Sequence, residues 1–222
     1  PLRRLEAAVA EGRIRGLSRG IAYRLIEAGG VLDRAEAAAD VHALSQAERR
    51  ALRSLGVRIG AFSLFMPALL EPDAQAAAKA VIRREAAGWS PPAAGLSRLP
   101  SPPPGPRVLA AHGLRAAGRF AAPVAQLERL DELMRAGPVQ GGGVVLTDQA
   151  LEELGWTAAD ANAVLRALGF APARRPAKGE PIPWRRRPER RARSAPAPSP
   201  HSPFAALAAL KDQPAPARRR RR

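Results

Sequence analysis

Arginine is the residue with which this chain can do most chemistry. Arg49, Arg50, Arg53 and Arg58 crowd together, with Arg49 and Arg53 at i, i+4 on one helix face, and Arg185, Arg186, Arg187, Arg190, Arg191 and Arg193 follow Trp184. A guanidinium is always charged and offers a planar fork of donors that fits a phosphate. Each phosphate neutralised steepens the salt dependence of duplex binding by about 0.9 in log units. Trp184, beside the second cluster, can stack on a base. These ten arginines and Trp184 are the candidate nucleic-acid contacts, and contacts of this kind hold a backbone without choosing a sequence.

Other chemistries find little support. Gly16 to Gly20 reads GLSRG and matches the G-x-S-x-G pattern of hydrolase nucleophiles. That motif needs a strand before the serine, and the residues before Ser18 are charged and helical. Its glycines suit a close approach of two helices instead. No phosphate-cradling G-x-x-x-x-G-K-[ST] occurs. His42, His112 and His201 stand far apart without metal-ligand spacing, and the absence of cysteine excludes thiolate zinc sites, disulfides and cysteine nucleophiles. No catalytic, cofactor or metal residue is therefore expected.

The formal charge of +16 over 222 residues is unevenly spread. Residues 171–222 carry 13 Arg and 2 Lys against Glu180, Glu189 and Asp212, whereas the first 170 are nearly balanced. A balanced body with a cationic tail points to a polyanion, RNA or DNA, and the tail has too few large apolar residues to enter a bilayer. No apolar run is long enough to span a membrane, so a cytoplasmic location is expected. The 46% hydrophobic fraction is inflated by alanine. Leu, Ile, Val and Phe make up only about a fifth of the chain, near the level at which disorder sets in. Ordered parts joined by Pro-rich segments are the expectation, and a chain beginning at Pro1 suggests a fragment.

The elements that must position the arginines are mostly helical. Leu2 to Ala28 reads as helix, broken near Gly12 to Gly16 and ended by Gly29-Gly30. Asp33 with Glu36, and Ser45 with Glu48, are capping-box patterns that start helices to about Leu44 and Leu52. LGVRIGAFSLFMPALLEP, Leu55 to Pro72, is the window densest in large apolar side chains, each worth about 1.5–3 kcal/mol if buried. It reads as a short extended segment turning into helix, the core of a first domain, and another helix follows over 72–87. The run after Trp89 is a Pro-rich linker. Val108 to Ala122 suits a weak hairpin, and a helix follows over 123–136. Thr147 and Thr157 cap two helices in helix-turn-helix spacing, better suited to packing than to reading a groove. SPFAALAALK, Ser202 to Lys211, puts Phe204, Leu207 and Leu210 on one face, a candidate partner-docking motif.

The fold class expected is thus mainly α: a helical accessory domain over 1–88, a Pro-rich linker over 89–107, a small helical domain over 108–170 with a possible short hairpin, and a disordered Arg-rich tail over 171–222 holding a short helix at 202–211.

GLSRGIAYRLIEAGGVL, ALRSLGVRIGAFSLFMPALLEP, LTDQALEELGWTAADANAVLRALGF and SPFAALAALK together resemble the C-terminal region of alphaproteobacterial helicase-related proteins. These are similar to the mitochondrial-degradosome RNA helicase, a superfamily 2 DExH-type motor. The resemblance is fullest over Gly16 to Glu71. Glu71 stands where a lysine is expected and Trp156 where a small residue is expected. The resemblance implies that ATP and Mg belong to two RecA-like motor domains upstream. This chain would be a non-catalytic accessory region that packs on the motor and helps enclose a strand of RNA or DNA. The alternative is a regulatory module that recruits a protein partner through its helical hairpin and the 202–211 motif.

Overall fold

Among the described residues, ten strands in three antiparallel sheets overturn the mainly α expectation, although helix remains the largest class. The computed structural model describes residues 1–86, 88–91, 95–174 and 180–187. Strands of two to four residues, built from runs such as LRAA, FAAP and PWRR, lack the period-two alternation that would announce them. Residues 1–186 make one compact unit and 187–222 a second, of which Arg187 alone is described.

Helices α1 (Leu2–Ala10) and α2 (Gly16–Glu27) pack Leu5, Ala8 and Val9 against Ile21, Ala22 and Leu25. Gly29 and Gly30, both left-handed, turn the chain into β1 (Val31–Asp33). The capping box expected at Asp33 does not form. Asp33 pairs with Ser63, its Oδ1 accepts the N–H of Ala35 at 2.8 Å, and α3 starts only at Ala38 and ends at Ala43. Strand pairing of Val31 and Leu32 with Phe65 and Leu64 outweighs the local cap. The Ser45–Glu48 box does form and opens α4 (Gln46–Ser54).

β2 (Arg58–Ile59) and β3 (Ser63–Phe65) make a hairpin, and the sheet order is β1-β3-β2. A 3-10 turn, Pro67–Leu69, and α5 (Pro72–Val81) follow. Inside the Pro-rich run, β4 (Ser97–Arg98) pairs with Ala121 and Phe120, and Pro106 opens α6 (Pro106–Ala111). β5 (Leu114–Ala117) and β6 (Phe120–Pro123) form the anticipated hairpin, in sheet order β4-β6-β5, and α7 (Val124–Ala136) follows at once.

The last sheet has the order β7-β8-β10-β9, from β7 (Val139–Gln140), β8 (Gly143–Val145), β9 (Phe170–Pro172) and β10 (Pro183–Arg186). Between β8 and β9 lie α8 (Asp148–Leu154) and α9 (Ala158–Ala167), capped by Thr147 and Thr157 as their spacing predicts. The disorder expected from Ala171 is corrected here: Trp184 pairs with Val144 and Pro172, and its ring is only 2% exposed.

The Leu55 to Leu70 run is not the core of one domain. Val57, Leu64, Met66 and Leu69 pack with α1, α2 and α4. Phe62 joins Leu127, Leu130, Trp156, Phe170 and Trp184 in a second cluster, and Phe65 joins Val31, Ala110 and Val124 in a third. This one stretch ties the two halves of the unit together.

Candidate nucleic-acid interface

The bend between β2 and β3 is clamped by charge. Glu128, on α7, accepts the backbone N–H groups of Ala61 at 2.5 Å, Phe62 at 3.2 Å and Ser63 at 3.0 Å. The guanidinium of Arg34 donates to the Gly60 carbonyl at 2.6 Å, and that of Arg186 reaches the Ala61 carbonyl at 3.4 Å. Arg186 also lies over the rings of Phe62 and Phe170, at 5.3 and 5.6 Å from their centroids. A residue whose sequence context reads as basic tail is thus part of the fold's central joint.

The arginines of α4 divide by role. Arg49 donates through Nε to the Leu44 carbonyl at 3.2 Å and through its second nitrogen to the Val41 carbonyl. It closes the open C-terminal end of α3, which leaves it poorly placed for a phosphate. Arg53 reaches back to the Arg49 carbonyl at 3.4 Å but remains exposed. Arg50 is exposed and has no partner among the described residues. Arg58 is exposed over the Phe65 ring, 5.9 Å from its centroid. The expected i, i+4 face is therefore half structural.

Trp184 is a clear correction: buried in the second core, with Arg166 over its ring at 5.5 Å, it has no face to offer a base. Arg185 and Arg186 are exposed on β10, and Arg185 holds no carboxylate among the described residues. Arg187 is exposed, while Arg190, Arg191, Arg193, Phe204, Leu207 and Leu210 lie outside the described residues. Sequence reading missed Arg135, at the end of α7, which with Arg185 and Arg186 borders a groove of about 400 Å³. The Gly141 to Gly143 run was the available signal, because it marks a place where the chain carries no side chains.

The paired helices α8 and α9 serve packing. Ala161, Val164 and Leu165 are buried, and α8 shows Asp148, Glu152 and Glu153 to solvent, a face that repels phosphate. Arg129 pairs with Glu153 and with Glu132, and this pairing holds the Glu153 carboxyl below its usual range.

The GLSRG segment is a helix start. Ser18 is buried and donates to the Arg15 carbonyl at 2.7 Å. Glu48 Oε1 accepts the N–H groups of Leu17 and Ser18, at 3.0 and 3.4 Å, so one carboxylate closes the N-terminal ends of both α4 and α2. A methyl group on Gly16 would meet that oxygen at 2.9 Å, whereas Gly20 faces open space.

Among the described residues no cluster of His, Asp or Glu could hold a metal ion, and no helix is long and apolar enough to cross a membrane. No family model, curated protein or solved structure matches the chain.

Proposed function

We propose that this chain is a non-catalytic accessory region that binds the phosphate backbone of RNA or DNA, and that it belongs to an ATP-dependent helicase whose motor holds ATP and Mg. The observation that carries the reading is the surplus of arginine over carboxylate. Arg50, Arg58 and Arg185 face solvent without an acidic partner among the described residues, and the chain continues from Arg187 with ten basic residues against Glu189 and Asp212. The helicase assignment rests on the resemblance over Gly16 to Glu71. Docking of Phe204, Leu207 and Leu210 on a protein partner and a cytoplasmic location belong to the same proposal.

The fold changes how the reading is tested. Removing residues from 171 onward would take away β10 and the Trp184 ring from the second core, so the informative truncation ends at Arg187. Fluorescence anisotropy of labelled RNA and DNA across a salt series compares the full chain with that truncation. Each tail guanidinium that no longer meets a phosphate lowers the salt slope by about 0.9 on duplex. An affinity indifferent to salt, or equal for the two chains, overturns the role of the tail. ATP hydrolysis by the chain alone overturns the accessory assignment.

A further inference from the structure

Strand β10 outlasts one of its partners. β8 pairs with it at Val144 and Val145, the chain then turns through Gly141 to Gly143, and β9 alone accompanies β10 to Arg186. Arg185 and Arg186 consequently border the open groove, whose other side is Asp131, Met134 and Arg135 at the end of α7, with Val139 at its mouth. Gly142 has nothing near the position a side chain would take, which keeps the groove clear.

We propose that this groove seats one strand of RNA or DNA, held by its phosphates between Arg135 and Arg185. The inference rests on the nucleic-acid reading above and names the part of the surface that does the binding. Three guanidinium groups face one carboxylate there. That carboxylate, Asp131, is already paired with Arg135 at 2.6 Å, and the Arg135 side chain is 77% exposed. Arg186 is committed to Phe62, Phe170 and the Ala61 carbonyl, so it supplies charge, while Arg185 and the nitrogens of Arg135 not turned to Asp131 supply donors. The aromatic floor, Phe170 and Trp184, is closed to solvent, so bases are not stacked and recognition is of backbone alone. A volume of about 400 Å³ suits a nucleotide-sized group rather than the width of a duplex. The basic sequence after Arg186 favours a polyanion as the ligand.

The test uses the full chain and the double variant Arg135→Gln, Arg185→Gln. Anisotropy with a labelled oligouridylate and its deoxy counterpart across a salt series gives the slope, and hydrogen exchange reports protection over 139–144. The expected result is a slope lower by about 1.4 in the variant, from two single-strand phosphate contacts. Protection of 139–144 should appear on binding to the native chain and disappear in the variant. Both side chains are exposed, so the melting temperature should hold. If it falls, Arg185→Gln alone, with an expected slope loss of about 0.7, carries the test. Unchanged slope and no protection, with native binding intact, overturn the groove while leaving the nucleic-acid reading standing. No binding by the native chain overturns both. Protection by an oligoglutamate peptide and not by oligouridylate overturns the proposal in favour of a protein partner.

Discussion

Replacing the half-buried Glu128 by Ala should destabilise the unit strongly. Its carboxylate satisfies three backbone donors, and two of them belong to Phe62 and Ser63, which are 4% and 0% exposed. A buried donor left without an acceptor costs about 1–3 kcal/mol. Water can reach Ala61, so two orphaned groups set the scale, about 2–6 kcal/mol, against a total stability of about 5–15 kcal/mol for a domain. With a urea dependence of about 1–3 kcal/mol per molar, the unfolding midpoint should fall by about 0.7 M or more. Buried Trp156 and Trp184 give the fluorescence signal. Gly60→Ala supplies the control, because the added methyl carbon would lie 2.2 Å from Glu128 Oε2. Gly60 is not in the left-handed region, so alanine is harmful there only by displacing that carboxylate. The two substitutions should therefore be strongly non-additive, Gly60→Ala losing most of its cost once Glu128 is gone. Additive effects, or a midpoint shift below about 0.3 M for Glu128→Ala, would refute the account of this joint.

Two further expectations follow from charge placement. The backbone N–H of Ser45, then its hydroxyl, hold the Glu48 carboxyl below its usual range, with smaller help from Ser18 and Leu17. A depressed folded pKa gives stability that is full above the unfolded carboxylate range and lost as pH falls through the folded value. Glu48→Gln should flatten that part of the acid limb, and Ser45→Ala should raise the Glu48 pKa in a carboxyl NMR titration. At β5, the Arg115 guanidinium is 7% exposed and 2.5 Å from Asp33 Oδ2, which is 34% exposed, while its Nε and first terminal nitrogen make no aligned hydrogen bond. Arg115→Met leaves a carboxylate that water still reaches and should stay within about 1 kcal/mol of the native chain. Asp33→Asn strands a buried cation and should cost about 3–5 kcal/mol. Urea midpoints compare the two, and equal losses would contradict the asymmetry.

The features legible in the amino-acid order are those set by near neighbours. Ser45 and Glu48 make their capping box, Thr147 and Thr157 start their helices, and the hairpin before Pro123 and the helix after it lie where the residues indicate. All depend on contacts within a few positions, and such contacts are written in the order of residues. Asp33 has the same local pattern as Ser45 and fails as a cap, because a strand 30 residues away takes its neighbours Val31 and Leu32. PWRR reads as part of a disordered basic tail. It becomes β10 because β8, far back in the chain, and β9 pair with it on either side and its Trp184 ring packs into the second core. Arginine shows the division most plainly. Sequence settles that the chain carries an excess of fixed positive charge and that the excess grows toward its end. Only tertiary structure decides that Arg49 closes a helix, Arg186 spans two aromatic rings and Arg185 faces solvent, because the partner that consumes or spares a guanidinium is chosen by packing between distant segments.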